Sequence, residues 1–415
     1  MLPEGWQRST LGEIATFKNG LNFTKSDEGE AIKIVVVSDF KDRSELQDTN
    51  DLDSVRVATK VRESELLASG DLLFVRSNGN RELIGRCLFF PEVKERLAYS
   101  GFTIRGRVDR TVLSPAFASY LMRSKLVKDQ IFLGGSGTNI SNLSQEILSS
   151  IELFVPPLGE QKGIARVLST WDQVIATTER LLANSRRQKH SLLNVLMRRI
   201  RHAQLHADKW DHIDLDAIFE RVTRKNTVGN TNVLTISGER GLISQRDYFN
   251  KSVASANLSG YTLLLRGEFA YNKSYSAGYP MDAIKPLTNY ETGVVSSLYL
   301  CFRIRGGVDA CADYFRHYFE AGMLNEALGG IAQEGARAHG LLNVGVSDFF
   351  KLRLKVPSTS EQRHIAEVIN IAEAEENTIE RQLECLKKEK AALMAQLLTG
   401  KRRVRLPASA GEVIT

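Results

Sequence analysis

The chain has 415 residues, of which 42% are hydrophobic, 25% are charged and nine are proline, a composition that excludes collagen-like, disordered and disulfide-stapled proteins. At roughly 150 residues per domain, this length predicts two to three domains. The 55 Lys and Arg against 49 Asp and Glu give a net charge of +6, which permits a polyanionic partner without proving one. The four cysteines lack zinc-type spacing, and no signal peptide or membrane-length apolar stretch occurs, so we expect a cytoplasmic protein.

The N-terminal part of the chain has the pattern of a mixed α/β domain. Short strand-like runs alternate with segments rich in Gly, Asn and Ser, which favour turns. One helical segment is predicted at 117–126. We therefore predict a globular domain over residues 1–156. Its predicted strands lie at 32–37, 72–75, 102–104 and 151–155.

A long helix is predicted to follow, over residues 157–205. Pro156 and Pro157 mark its start, because proline is tolerated only before or within the first helical turn. Apolar residues then recur in alternating steps of four and three, the spacing of a coiled-coil seam. Extra apolar positions such as Val174 and Leu181 widen this stripe, which favours docking of a further helical partner. The seam residues are Ile164, Leu168, Trp171, Ile175, Leu182, Leu192 and Leu196.

The second half of the chain repeats the first. Val155-Pro156 and Glu160-Gln161 recur 201 positions later as Val356-Pro357 and Glu361-Gln362. Earlier matches have slightly smaller offsets, which implies loop insertions. A second domain of the same mixed α/β class is therefore predicted over residues 206–357, with strands at 269–271, 298–304 and 352–356 and a helix at 314–324.

A distal helix is predicted over residues 358–400, followed by a basic tail at 401–415. Every seam position lies 201 residues after its counterpart, and polar breaks recur at Lys189 and Lys390. The repeat favours an antiparallel pair of these two helices within one chain. Packing of each helix on its own domain and a homodimer seam are the alternatives. The distal seam residues are Ile365, Ile369, Ile379, Leu383, Leu386, Leu393 and Leu397.

Motifs for catalysis are missing from the sequence. It has no nucleotide-binding P-loop and no Gly-rich turn that would bind S-adenosylmethionine. It also has no Asn-Pro-Pro-aromatic or Asp-Pro-Pro-aromatic tetrad to receive a flipped base for methylation. The triplet at 92–94 resembles part of a nuclease site, but the chain has no Pro-Asp dipeptide to supply the other carboxylate for Mg²⁺. A solvated charge cluster is therefore the better interpretation. His202, His206 and His212 lie in a polar connector without a nearby cysteine, so no metal site is predicted. We expect a recognition or assembly subunit.

The arrangement resembles the specificity subunit of type I restriction-modification systems, the HsdS family, over nearly the whole chain. The resemblance rests on the opening 2–6 with 11–14, on the turn 155–165 into the first long helix, on its second copy at 361–366, and on the closing 397–401. The second copy differs in having Ser358 where the first has Pro157.

This resemblance implies a subunit without catalytic activity that reads double-stranded DNA. Each of two target-recognition domains would bind one half of a split, asymmetric site, and the helices would set the spacing between the halves. Two modification subunits, which use S-adenosylmethionine to methylate adenine at N6, would dock on the helices. Restriction subunits, which use ATP and Mg²⁺ for translocation, would join them. Acidic DNA-mimic inhibitors are a further class of partner that the resemblance implies.

Candidate DNA contacts follow from the chemistry of base edges, which favours Arg, Lys, Asn and Gln on loops. Three loops of the first domain and two of the second offer such residues, and solvated loops without DNA contact are the alternative. The basic runs at 198–201 and 401–405 are better interpreted as helix C-terminal caps. The candidates are Lys18, Asn19, Arg76, Ser77, Asn78, Asn80, Arg81, Ser136, Thr138 and Asn139 in the first domain, and Lys273, Ser274, Tyr275, Tyr279, Arg337 and His339 in the second.

Two other function classes compete with this interpretation. A structural scaffold that binds no nucleic acid would associate with partners independently of salt, whereas phosphate contacts make DNA binding salt-dependent. A self-sufficient nuclease or methyltransferase would need the motifs that are missing, and it would show activity as an isolated chain with Mg²⁺ or S-adenosylmethionine.

Overall fold

A computed structural model of the chain describes residues 3–22, 29–41, 43–57, 60–134, 142–202, 211–237, 240–249, 257–272, 283–331, 333–334 and 342–404. Its contacts divide the chain into two units. The first unit comprises Met1–Glu179 and Arg381–Thr415, and the second comprises Arg180–Glu380. Each long helix therefore contributes one part to each unit.

The first unit is a mixed α/β domain of short strands and helices. Its strands are β1 (Gln7–Thr10), β2 (Ala15–Asn19), β3 (Glu30–Val35), β4 (Ser54–Val57), β5 (Leu72–Val75), β6 (Cys87–Phe89), β7 (Leu97–Tyr99), β8 (Thr103–Val108) and β9 (Glu152–Val155). Its helices are α1 (Leu11–Ile14), α2 (Pro115–Arg123), α3 (Lys125–Gly134), α4 (Gln145–Ser149) and the start of α5 (Leu158–His202). Short 3-10 turns lie at Val37–Phe40, Glu63–Glu65 and Arg81–Leu83.

One four-stranded antiparallel sheet organises the first unit, with the strand order β2-β8-β5-β6. A second sheet has the order β4-β3-β7, with β3 and β7 parallel, and β1 pairs with β9. The main core lies between the four-stranded sheet and the helices, around Phe74, Ile104, Phe117 and Leu121. Leu397, near the end of the distal helix, is buried in this same core.

The second unit repeats this architecture with different connections. Its strands are β10 (Asp211–Asp214), β11 (Phe219–Arg221), β12 (Leu234–Ser237), β13 (Gly241–Ser244), β14 (Thr262–Leu265), β15 (Phe269–Asn272), β16 (Ala283–Pro286), β17 (Thr292–Val295), β18 (Tyr299–Ile304), β19 (Gln333–Glu334), β20 (Leu342–Asn343) and β21 (Arg353–Val356). Its helices are α6 (Leu215–Ile218), α7 (Gln245–Phe249), α8 (Ala312–Glu320), α9 (Asn325–Ile331), α10 (Val346–Phe350) and the start of α11 (Thr359–Leu398).

The sheet β11-β18-β15-β16 has the same order as its counterpart in the first unit, and β10 pairs with β21 as β1 pairs with β9. The outer strands differ, because β12-β13, β14-β17 and β19-β20 form separate two-stranded sheets. The core of this unit is rich in aromatic rings that pack edge to face, such as Phe219 against Phe302 and Phe315.

Helices α5 and α11 run antiparallel within each unit. In the first unit, Asp172 pairs with Lys390, and Glu179 pairs with Lys387 at 2.7 Å. In the second unit, Arg186 contacts Glu376 and Glu380, each at 3.0 Å. Residue numbers rise on one helix as they fall on the other, which defines an antiparallel pair. The predicted fold class, two mixed α/β domains in repeat with two long antiparallel helices, is confirmed.

The predicted seam residues are all buried or half-buried, and several of them belong to a globular core: Ile164, Leu168 and Leu397 to that of the first unit, and Ile365 and Ile369 to that of the second. Ile164, Leu168, Leu182, Ile365, Ile369, Ile379, Leu383 and Leu397 are buried, and Trp171, Ile175, Leu192, Leu196, Leu386 and Leu393 are half-buried. Near the end of α5, Leu193 and Met197 are more deeply buried than Leu192 and Leu196, because they pack into the core of the second unit. The helix therefore turns a different face inward where it meets a globular core.

Some predicted elements differ from the structure at their ends. The helix expected at 117–126 is two helices, because Ser124 adopts an extended backbone and its hydroxyl accepts a hydrogen bond from the Val127 amide at 3.4 Å. The strand expected at 102–104 begins at Thr103, because the Thr103 amide closes a turn onto the Ser100 carbonyl at 2.8 Å. Among the helices described, none combines the length and hydropathy that a bilayer crossing needs.

Candidate nucleic-acid interface

Three chain segments meet at one end of the first-unit sheet. Strand β2 ends at Asn19, β5 ends at Val75 and β8 begins at Thr103, and Val75 is paired with Thr103. Leu21 forms a bridge to Ser100 just beyond the sheet. The segments that leave β2 and β5 and the turn that enters β8 are therefore neighbours at this end.

These segments line a concave pocket of about 700 Å³. We call it the first-unit pocket. Polar loop residues and one exposed aromatic ring share its wall, and that ring belongs to Phe102, which is 62% exposed. The lining residues are Leu21, Asn22, Val36, Val37, Ser77, Asn78, Gly79, Ser100, Gly101 and Phe102.

The loop after β5 is held in place by its backbone. The Arg76 and Ser77 amides both donate to the Phe102 carbonyl, at 2.8 and 3.3 Å, and the Arg76 carbonyl accepts from the Leu143 amide at 2.8 Å. The Arg76 guanidinium makes one long contact, 3.4 Å to the Gly101 carbonyl. Arg76 is half-buried, and these hydrogen bonds fix its backbone. A guanidinium has five N–H donors, so within the described residues donors remain for a ligand.

The two asparagines of this loop shape it. The Asn78 side-chain carbonyl accepts from the Asn80 amide at 2.8 Å, and that of Asn80 accepts from the Glu82 amide at 3.0 Å, where it caps a 3-10 turn. Arg81 is exposed at the start of that turn. The predicted group from Arg76 to Arg81 is therefore one ordered loop beside the pocket.

The other first-unit candidates divide between the pocket and its surroundings. Asn19 accepts a hydrogen bond from Gln145 at 3.0 Å, which ties the end of β2 to α4 near the pocket. Lys18 lies on the other side of the strand, where its ammonium contacts Ser64 and, at 3.9 Å, Glu65. Ser136, Thr138 and Asn139 lie outside the described residues.

In the second unit the corresponding strand end is formed by Asn272 of β15, which pairs with Tyr299 of β18. The predicted reader residues Lys273, Ser274, Tyr275 and Tyr279 follow directly and lie outside the described residues, as do Arg337 and His339. Arg224 and Lys225, which follow β11, both contact other groups of this unit. Arg224 forms an ion pair with Glu268, and Lys225 donates to the Gly260 carbonyl at 3.0 Å.

Each four-stranded sheet has a buried acid at the same place, just before its strand β5 or β15. Asp71 precedes β5, accepts from the Ala68 amide at 2.7 Å and makes a two-pronged ion pair with Arg107 at 2.7 Å. The hydrogen bond to Asp71 raises the pKa of Arg107. Glu268 takes the equivalent place before β15, with Arg224 at 3.1 Å and the Leu265 amide at 2.9 Å.

The repeated Glu-Gln pair has a structural role that the sequence did not reveal. Gln161 is fully buried, accepts from the Ser114 amide at 2.7 Å and donates to the Val112 and Pro156 carbonyls, each at 2.8 Å. Gln362 repeats this with the Cys311 amide at 3.1 Å and the Pro357 carbonyl at 2.9 Å. In each unit, one glutamine joins the start of a long helix to its globular domain.

The tail after α11 belongs to the same framework. Arg403 makes two hydrogen bonds, of 2.7 and 2.8 Å, to Glu160, and Trp6 donates to that carboxylate at 3.2 Å. Glu160 is only 5% exposed, so it needs a cation beside it. The sequence predicts Arg403 as part of a helix C-terminal cap, whereas the structure pairs it with this buried carboxylate.

Neither candidate for catalytic chemistry gains support from the geometry. Glu92 and Lys94 form an exposed ion pair of 3.2 Å with each other. Within the described ranges, no group of three or more His, Cys, Asp or Glu is placed to hold a metal ion. Of the three connector histidines, His212 lies on β10 opposite Lys355, and the His202 side chain and His206 lie outside the description.

Comparison with known proteins finds a family that matches the first part of this chain. Residues 3–184 match the family described as "Type I restriction modification DNA specificity domain". The first part of the chain is therefore similar to the specificity subunits of type I restriction-modification systems. The predicted family resemblance is thereby confirmed.

Curated relatives match this chain over part of their length. The putative MjaX specificity subunit of Methanocaldococcus jannaschii is 28% identical over 201 residues, 47% of this chain and 46% of that protein. The EcoKI specificity subunit of Escherichia coli is 25% identical over 172 residues, 41% of this chain and 36% of that protein. The matches thus span less than half the length of these curated relatives.

Solved structures agree on the fold over the whole chain. The HsdS subunit of Thermoanaerobacter tengcongensis superposes with a TM-score of 0.52 at 16% identity and covers 97% of this chain and 98% of its own. A chain from a structure of a type I restriction-modification system gives a TM-score of 0.60 at 15% identity, covering 97% and 100%. At these identities the likeness concerns the fold.

Proposed function

We propose that this chain is the non-catalytic DNA sequence-specificity subunit of a type I restriction-modification enzyme, and that each unit reads one half of a bipartite, asymmetric site. The observation that carries the proposal is the duplicated sheet, whose strands β5 and β15 both end in a polar segment at the same position. Phosphate and base contacts on such segments would deliver recognition, while the sheets position them.

Differences between the two polar segments support two different half-sites. The first is Arg76-Ser77-Asn78-Gly79-Asn80-Arg81, and the second is Lys273-Ser274-Tyr275-Ser276-Ala277-Gly278-Tyr279. The frameworks keep the acid before the strand and the buried glutamine, whereas the segments retain only a cation followed by serine. Matching position with diverged content is what two readers of different sequences require.

The long helices suit the role of a spacer and a docking surface in this proposal. Helix α5 has 45 residues and α11 has 40. At about 1.5 Å per residue these would be about 68 and 60 Å long. Val174 and Leu181 on α5 are 43% and 50% exposed, on the stripe expected for a further partner. Two modification subunits would dock on the helices.

The chemistry would come from these partners in the proposed enzyme. S-adenosylmethionine would bind the modification subunits, which would methylate adenine at N6, and ATP and Mg²⁺ would bind restriction subunits that translocate DNA. This chain would bind none of these cofactors itself. Acidic DNA-mimic inhibitors would compete with DNA for the same basic loop residues, such as Arg76 and Arg81.

A footprint of the chain purified with its methyltransferase partner tests the proposal. Two short protected patches separated by an unprotected gap are expected, with affinity that falls steeply as salt rises. One continuous footprint would contradict the bipartite arrangement, and affinity that is indifferent to salt would favour a scaffold without a DNA contact.

A further inference from the structure

Both units present a bulky apolar side chain on a turn of the same construction. In the first unit the Thr103 amide donates to the Ser100 carbonyl at 2.8 Å, and the Phe102 amide donates to the Ser100 hydroxyl at 3.3 Å. In the second unit the Tyr299 amide donates to the Ser296 carbonyl at 3.0 Å, and the Leu298 amide to the Ser296 hydroxyl at 3.4 Å.

These turns expose their apolar residue at the reading end of each sheet. Phe102 is 62% exposed and Leu298 is 59% exposed. Each immediately precedes the central strand, β8 or β18, whose first residue pairs with the last residue of β5 or β15. In the first unit, the polar segment that we propose to read DNA therefore starts directly beside Phe102. In the second unit, Asn272 is the last described residue before the corresponding segment and pairs with Tyr299, the neighbour of Leu298.

A single exposed apolar residue needs no explanation, but the same exposure at the same position of two diverged copies does. The turn itself does not require a large side chain, because its hydrogen bonds come from the backbone and from Ser100 or Ser296. The Phe102 ring lies on the wall of the first-unit pocket together with Ser77 and Asn78. Apolar and polar reading groups are thus adjacent.

We propose that Phe102 and Leu298 are specificity-determining residues, each contacting the 5-position of one pyrimidine in its half of the DNA site. This inference rests on the proposed function. Hydrogen-bonding edges and the thymine methyl group occur side by side only in the major groove. A phenylalanine and a leucine differ in shape, so the two contacts would also distinguish different neighbouring bases.

Substituted duplexes test this contact directly. The wild-type chain with its methyltransferase partner is titrated against its mapped site, in which each thymine in turn is replaced by uracil and each cytosine by 5-methylcytosine. Every base pair contains one pyrimidine, so every position is tested. We expect one position in each half-site where the exchange changes the Kd about fourfold, the equivalent of one buried methyl group.

Each alanine variant should remove one of these responses and keep the other. Phe102→Ala should abolish the response in one half-site only, and Leu298→Ala in the other half-site only, so each variant is the matched control of the other. Their melting temperatures should equal that of the wild type, because both side chains are mostly exposed.

Unchanged responses in both variants, with normal specific binding, would overturn this inference alone. A loss of DNA bending in Phe102→Ala, measured by energy transfer between end labels, with all responses retained would show an intercalating wedge instead and would also overturn it. A wild-type complex without sequence-specific binding would overturn the proposed function, and this inference with it.

Discussion

The two units share the order of one four-stranded sheet, but each neutralises the buried acid of that sheet with an arginine from a different place. Asp71 is paired with Arg107, which lies on the neighbouring strand β8, whereas Glu268 is paired with Arg224, which follows β11. The acid stays at one position because its carboxylate accepts a backbone amide three residues earlier in both units. The cation can come from a different strand, since any nearby arginine meets the same electrostatic need.

The side-chain packing in the cores of the two sheets differs more than the ion pairs of the buried acids do. Gly106 in β8 leaves room for Phe17 and Phe74, and a Cβ there would lie 3.0 Å from the Phe74 ring. The corresponding position in β18 is Phe302, which stacks on Phe269 with ring centroids 5.4 Å apart. Packing can thus be rebuilt while sheet order is kept. Similarity between the copies therefore survives mainly at hydrogen-bonding framework residues.

The largest expected effect comes from the buried glutamines. Gln161→Ala would leave the Ser114 amide and two carbonyls without their partner and should lower the free energy of unfolding by about 2–4 kcal/mol. Gln362→Ala, with two such bonds, should cost about 1–3 kcal/mol. Hydrogen exchange should show each loss within its own unit, and Gln188→Ala on the exposed face of α5 is the control. Equal loss in both units from either variant would contradict their separate roles.

The seam lysines should come next, with unequal effects. Among the described residues, Lys390→Ala would leave Asp172 with the neutral Tyr120 hydroxyl, at 2.8 Å, as its remaining partner, and it should cost about 1–2 kcal/mol. Lys189→Ala would leave Glu376 paired with Arg186 and should cost less than about 1 kcal/mol. Denaturant unfolding measures both, with Lys390→Arg as the charge-preserving control. A larger cost for Lys189→Ala would contradict this interpretation of the two pairs.

A smaller effect is expected from Arg403. Arg403→Ala removes the cation beside the buried Glu160 carboxylate and should lower the thermal midpoint of the first unit only. The salt dependence of DNA affinity should stay at the wild-type value. Arg402→Ala, on the same exposed tail, is the control and should leave the midpoint unchanged. A reduced salt slope for Arg403→Ala would instead indicate a phosphate contact.

The smallest effect is a dependence of stability on pH. It distinguishes His317 on α8 from Tyr120, which holds the matching position on α2. Burial, and then the neighbouring Arg316, lowers the pKa of His317 below its usual value of 6.5, so the folded second unit holds it neutral beside Asn370. Because the unfolded chain binds the proton more readily, this unit should lose stability as pH falls through 6.5. Tyr120 in the first unit stays neutral over this range, since burial raises its pKa.

Hydrogen exchange between pH 7 and 5 should therefore show that the second unit loses stability as the pH falls. His317→Gln should reduce it, and an unchanged pH dependence in that variant would assign the loss to other groups.

Much of the fold was predictable because its signals are periodic or repeated. The long helices follow from 4-3 spacing, and the two domains follow from matches such as Gln161 with Gln362. Two features were not predictable, because they depend on tertiary packing: the break between α2 and α3 at Ser124, and the burial of Leu193 in the second-unit core. Likewise, the pairing of Arg403 with Glu160 joins residues 243 positions apart, a contact that no local pattern records. The candidate DNA loops remain predictions from base-edge chemistry.

Mapping of methylated adenines in the source cell tests the central claim most directly. We predict a split motif that disappears when this gene is deleted. We also predict that Arg76→Ala relaxes one base position in one half of the motif while the other half stays unchanged. The loss of discrimination there should be about 1–3 kcal/mol. A continuous motif, or a wild-type motif in the Arg76→Ala strain, would contradict respectively the two-reader arrangement and the assignment of this loop.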